Sequence, residues 1–255
     1  MTVRRLDELT WSDAVDAAAA GAIAVVPVGS QEQHAGHLPM GTDTLLVEAV
    51  LDAALEEFAD DGGSLLVRLP PLPYGHSPHH LFRAAVSLSA ETLLRVLGEL
   101  LDSLETTGFR RVLLVNGHGG NAEAVALAVK QFALRAPVAA GACSYWQTAP
   151  ATDAARTPGH AGWFETSLML AAHPDLVRPP AWDGPADPPP LFDRPVHPGL
   201  VVERSGEWSR VGGITDDPTA ADGGTGRDLL GRCGRGLAGA ITAFDRATRT
   251  RSHQQ

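Results

Sequence analysis

The chain has 255 residues and a formal net charge of −10, from 20 Lys+Arg against 30 Asp+Glu, with 44% hydrophobic and 20% charged residues. That balance rules against wholesale disorder and suffices for one large α/β domain or two small ones with a real core. An acidic chain with one lysine, no basic block and 5% aromatics argues against nucleic acid or an anionic membrane as main partner.

The elements follow in chain order. Thr10, with Asp13 three residues on, predicts an N-cap for a helix through Ala20. Ile23 to Gly29 (IAVVPVG) reads as a buried strand. Thr44 to Phe58 carries a helical pattern, and Leu65 to Leu69 predicts a second strand. Ser89 caps a helix with Leu93, Leu97, Leu100, Leu101 and Leu104 on one face and Gly108 as its stop. Val112 to Val115 is a third strand, followed by NGHGGN and a helix to Leu134. Pro137 to Cys143 is a fourth strand, and Trp163 to Ala172 a short helix. This alternation predicts a mostly parallel sheet covered by helices. Pro179 to Pro198 holds eight prolines, a connection pinned to the surface or lining a subunit contact, because a helical segment, Asp222 to Ala247, follows it. Thr248 to Gln255 is expected to fray. Apolar runs such as Ala17 to Gly29 are broken by Gly and Pro and too short to span a bilayer. Cys143 and Cys233 form no disulfide framework. The stretch MTVRRLDELT lacks a signal-peptide core, which predicts a cytoplasmic protein.

Three segments carry chemistry. The first, GSQEQHAGHLPMGTD, follows the first strand and places Glu32, His34 and Asp43 within twelve residues. Residues two apart on an extended chain project to the same side, so Glu32 and His34 can converge. This oxygen and nitrogen donor mix suits Zn²⁺, Mn²⁺ or Fe²⁺. Asp43 sits where the chain enters a helix. The second, NGHGGN, sets His118 between glycines that strip away bulk at a strand end, where sites gather in parallel sheets. Alone it could equally be a turn. The third, HAGWFETS, places His160 in a loop and Glu165 in the first turn of the helix that follows. A phosphate loop at NGHGGN is disfavoured, since neither the GxxxxGK[ST] lysine nor GxGxxG spacing is present.

In this order and spacing the three motifs strongly resemble the creatininase family of metal-dependent amidohydrolases, from about Val26 to Asp175, with a weaker echo near Gly212 to Asp222. The resemblance implies a three-layer α/β/α sandwich with a mostly parallel central sheet, built as one domain over residues 1–255, two divalent metal ions per chain (Zn, Mn or Fe), and a cytoplasmic homo-oligomer, often a hexamer. Carried over by position, Glu32 and His118 resemble ligands of one metal, His34 a ligand of the other, and Asp43 the carboxylate shared by both. His160 matches the family histidine that handles protons. Creatininase proper carries a glutamate ligand two residues after the histidine of the glycine-rich motif; here that place is Gly120. Glu165 is therefore either a ligand or a water-orienting base.

Such a site implies hydrolysis of an amide by a metal-bridging hydroxide, with His160 relaying a proton to the leaving nitrogen. Trp146, after the fourth strand, either stacks on a planar substrate or is structural. Tyr74 and His79, after the second strand, and Gly119 are the other candidate substrate contacts. Arg83 stands where relatives have Pro-Gly-Thr and is expected to face solvent. Creatininase proper has a Trp-Asp pair just before its catalytic histidine, whereas Arg156-Thr157-Pro158-Gly159 stands here, which counts against creatinine. The expected substrate is a small cyclic, formyl or similar amide. The alternatives are a short modified peptide, as for the peptidase that trims the mycofactocin precursor, or a non-catalytic binding protein on the same fold.

Overall fold

The computed structural model describes residues 3–60, 63–149, 158–192, 197 and 199–249. A five-stranded sheet runs in the order β1-β3-β2-β4-β5, from β1 (Val3–Arg5), β2 (Ile23–Val28), β3 (Leu66–Arg68), β4 (Arg111–Asn116) and β5 (Ala139–Ser144). Every pairing is parallel. Four of these strands match the sequence pattern; β1 does not, because VRR carries no apolar run. Central β2 tolerates Pro27 because β3 ends early: the Pro27 carbonyl accepts from Leu72 N–H at 2.9 Å, in the chain beyond that strand.

Helices cover both faces. On one side lie α1 (Trp11–Ala19), α3 (Ala90–Thr107) and α4 (Ala122–Ala133), whose apolar stripes join Ala24, Val26, Leu114 and Val67 of the sheet in one core. On the other side lie α2 (Thr42–Asp60), α6 (Trp163–Ala172) and the long α8 (Gly223–Thr248), packed over Ile23, Val25, Leu113 and Val115. The alternation of β2 and β4 residues between two cores makes this the three-layer α/β/α arrangement. Two short helices, α5 (Tyr145–Thr148) and α7 (Glu207–Arg210), lie near strand ends and loops.

The local signals act as the sequence predicts. Thr10 and Asp13 form a reciprocal capping box at α1. Ser89 accepts from Thr92 N–H, and Gly108 closes α3 at φ +113°. α8 is rich in glycine because it is pressed against its neighbours: a methyl at Gly226 would run into the Ser167 carbonyl, and one at Gly234 would lie 2.8 Å from Ala53 Cβ. It continues through Thr248, past the expected fraying point; residues 250–255 of the expected frayed end lie outside the described residues. Beneath its end, buried Asp245 pairs with Arg111, which also donates to Gly21 O at 2.9 Å.

Candidate metal centre

The carboxyl ends of β2 and β4 set up the site. After β2 the chain carries Glu32 and His34, and the loop returns to start α2 with Asp43 in its first turn. After β4, His118 stands in extended backbone before the single turn Gly119–Asn121. The Asn116 side chain holds that bend, accepting from His118 N–H at 3.0 Å and donating to His118 O at 2.8 Å. Gly162 caps α6, placing Glu165 in the first turn and His160 just before it. The segment 212–222 braces this loop. The Thr215 hydroxyl accepts from His160 N–H at 2.7 Å, and Asp216 accepts from Trp163 N–H at 3.2 Å.

These side chains converge. His34 Nε2 lies 3.2 Å from Asp43 Oδ1 and 3.8 Å from Glu165 Oε2. His118 Nδ1 lies 3.0 Å from Asp43 Oδ2 and 3.4 Å from Glu32 Oε1. Glu32 Oε1 is also 3.4 Å from His160 Nδ1 and from His80 Nε2. Among the described residues, the triads Glu32–Asp43–His118 and His34–Asp43–Glu165 each bring three donor atoms within 4.8 Å of one another, as do Glu32–His34–His160 and Glu32–His79–His80.

The inner atoms of this cluster are buried without hydrogen-bond partners: both Glu32 oxygens, His34 Nε2, Asp43 Oδ2 and His80 Nε2. Leaving them so is costly unless something else satisfies them. The outer edges are satisfied. His34 Nδ1 is 3.2 Å from Glu32 O, and His118 Nε2 is 3.0 Å from His76 O. A carbonyl only accepts, so a ring hydrogen sits on each of those outer nitrogens, and the inner nitrogens face the carboxylates. Inward imidazole nitrogens that can give up their protons, orphaned carboxylate oxygens and outer partners that fix the rings are what a divalent cation requires.

Charge follows the same geometry. Burial pushes Glu32 and Glu165 up to about 7. For Asp43, burial acts upward but His34 and His118 outweigh it and hold its pKa low. Burial disfavours charge on His34 and His118, yet the surrounding carboxylates raise them to about 10 and about 9. His80 falls to about 2 and His79 to about 4, mainly through burial. Burial, with His34 and His80 nearby, also drives His160 well below its ordinary value. Without metal, then, two imidazoliums offset the acids while three other histidines stay neutral.

A family model described as creatinine amidohydrolase matches residues 7–241. The chain belongs to the creatininase family. It is a creatininase-type amidohydrolase, a hydrolase of carbon–nitrogen bonds. It is 34% identical over 227 residues to the mycofactocin precursor peptide peptidase of Mycolicibacterium smegmatis, covering 85% of this chain and 83% of that one. It is 32% identical to the creatinine amidohydrolase of Pseudomonas putida over 264 residues, covering 92% and 94%. A solved structure described as creatininase Mn superposes with a TM-score of 0.73 at 29% identity, covering 94% of this chain and 98% of that one.

Within this creatininase-family site, the structure brings together Glu32, His34, Asp43, His118, His160 and Glu165. All but His34 line a cavity of about 560 Å³, with Gly119, Trp146 and His79 around them. Tyr74 is not brought in: it is 45% exposed and absent from the lining, because the chain turns inward only after it. Arg83 is exposed; Arg156 and Thr157 lie outside the described residues. Sequence reading missed His80, which is fully buried against Glu32, and Trp208, whose ring centroid lies 4.8 Å from those of both His79 and His80. It also missed Phe192, from the proline-rich stretch, which stacks on Trp208 at 4.1 Å and lines the cavity. Here that connection is a wall of the site rather than a surface strap alone; residues 193–196 and 198 of it lie outside the described residues. The doubled histidine at 79–80 was the one available signal.

Gly120 explains the departure from creatininase proper. A methyl there would lie 2.6 Å from His118 Nε2 and 3.1 Å from His79 Cε1, and would strike the His76 carbonyl. The 76–79 loop fills the space a longer side chain would need, while the Glu165 carboxylate approaches His34 from α6.

Proposed function

We propose that the protein hydrolyses a small non-peptide amide with two divalent ions, Zn, Mn or Fe, held by side chains from the loops after β2 and β4 and from the first turns of α2 and α6. The observation that carries this reading is the set of buried, unpartnered Glu32, His34 and Asp43 atoms facing one another. Glu32, Asp43 and His118 would hold one ion, and His34, Asp43 and Glu165 the other, with Asp43 shared. Glu165 acts as a ligand in this assignment because its carboxylate brings a donor oxygen within 4.8 Å of the His34 and Asp43 donors, held in place by Ala161 N–H, which donates to Oε2 at 2.6 Å. Bound ions supply an acidified water and a polarised carbonyl.

The chain's own groups do the rest. Buried, neutral His160 takes a proton and returns it to the leaving nitrogen, which would otherwise depart as an unstable anion. Backbone N–H groups at Gly119 and its neighbours face developing oxyanion charge. His79, Trp146, Trp208 and Phe192 exclude water around the substrate and orient it. The reading treats 1–255 as one domain acting in the cytoplasm as a homo-oligomer.

Metal-loaded protein assayed against cyclic and formyl amides, with Asp43→Asn as control, tests it: turnover is expected from the native protein alone, and equal activity in the control overturns the reading. A short modified peptide is the second substrate reading, favoured by the mycofactocin peptidase relative, and belongs in the same panel. A non-catalytic binding protein would retain substrate without turnover.

A further inference from the structure

Gln33 lies in sequence between two of the proposed ligands, yet its side chain has different neighbours. Its Oε1 accepts from Ala35 N–H at 3.0 Å, and its Nε2 lies 3.0 Å from Gly213 O. A backbone N–H only donates and a carbonyl only accepts, so these two contacts fix which end of the amide is which. The approach is built in: Gly213 sits at φ +67°, and a methyl there would lie 2.8 Å from Gln33 Cδ.

One amide hydrogen goes to Gly213, leaving one for two imidazoles: His80 Nδ1 at 2.8 Å and His160 Nε2 at 3.1 Å. His160 Nε2 is also 2.7 Å from the backbone carbonyl of Gln33. That carbonyl can only accept, so His160 Nε2 carries a hydrogen and cannot take the second amide hydrogen. It goes to His80 Nδ1, which must be bare, and the hydrogen of the neutral His80 ring is on Nε2. The two rings stack with centroids 4.2 Å apart and both turn their remaining nitrogen toward Glu32 Oε1, each at 3.4 Å.

We propose that Gln33 is a positioning residue that holds both rings with hydrogen on Nε2 but presents opposite edges to the site, so that His80 turns its N–H edge toward Glu32 while His160 turns Nδ1, the edge left to take up a proton. His80 is thereby kept out of the metal shell, although it stands in reach of Glu32 and His79. Coordination through Nε2 would move its hydrogen to Nδ1, against the amide N–H of Gln33. His160 is left as the proton acceptor. This deepens the hydrolase reading and rests on it for what the two edges act upon; the ring forms themselves do not depend on it.

The experiment uses zinc-loaded, histidine-¹⁵N-labelled protein, in which long-range ¹H–¹⁵N correlation spectra report which ring nitrogen carries hydrogen. Signals are assigned by their loss in His80→Asn and His160→Asn. Both rings are expected as Nε2–H in the native protein. In Gln33→Glu, the carboxylate has no hydrogen to give, so His80 gains one on Nδ1, while His160, still tied to the backbone carbonyl, keeps its form. In Gln33→Met, which keeps the shape without the hydrogen bonds, His80 becomes a mixture and His160 again stays unchanged. Native His80 with hydrogen on Nδ1, or a His80 indifferent to both substitutions, overturns the proposal. Failure of the hydrolase reading looks different: no turnover across the amide panel, with the ring forms as stated.

Discussion

Nδ1 of His118 stands 3.0 Å from Oδ2 of Asp43, while the other Asp43 oxygen faces His34 Nε2 at 3.2 Å. One carboxylate thus joins a histidine from the loop after β4 to one from the loop after β2. Asp43→Asn removes the negative charge and one of the two ligating oxygens at the shared position. Metal content measured by elemental analysis is expected to fall below one ion per chain, and turnover by at least about 100-fold.

Glu165 belongs to one triad only. Glu165→Gln is expected to leave the Glu32–Asp43–His118 set intact and to remove one ion. Metal content should then approach half of the native value. Unchanged content would return Glu165 to the role of a base.

Metal binding should release protons. At pH 7 the metal-free protein holds His34, raised to about 10, and His118, raised to about 9, as imidazoliums. A cation binds only the bare ring. Apparent affinity therefore rises with pH from 6 through 9, as those protons become easier to displace. Calorimetric zinc titrations in buffers of differing ionisation enthalpy should show more than one proton released per chain.

The chain's recognisable segments were those where chemistry and backbone share one stretch of sequence. Glu32, His34 and Asp43 surround a strand-to-helix turn, and His118 sits among glycines, so spacing alone put them on one rim. His80, Gln33 and Trp208 were not legible because their roles arise from loops that meet only in space. Gln33 finds Gly213 across 180 positions of chain, and no local pattern encodes that. Tyr74 shows the converse, since closeness in sequence to His76 did not bring it to the cavity. Strand β1 was missed because its three residues are set by pairing with β3 rather than by hydrophobicity.

Gly120→Ala should disturb the centre without replacing a ligand. The added methyl has no space beside His118 and the His76 carbonyl. A loss of about 1–3 kcal/mol of stability is expected, read as a lower Tm, together with weaker zinc binding as the His118 ring is displaced.

Far from the site, Asp245→Ala leaves Arg111 buried without its carboxylate partner. The expected cost is about 3 kcal/mol, measured by denaturant unfolding, with zinc content unchanged.

The stacked pair Phe192 and Trp208 comes from the stretch between α6 and α8, whereas the acids and imidazoles come from the sheet's carboxyl edge and the start of α6. Under the proposed function, part of the substrate wall thus comes from a stretch of chain that supplies none of the proposed ligands. Exchanging this aromatic pair is expected to change which molecules the cavity admits while leaving the proposed ligands in place, so that one scaffold can serve unlike substrates.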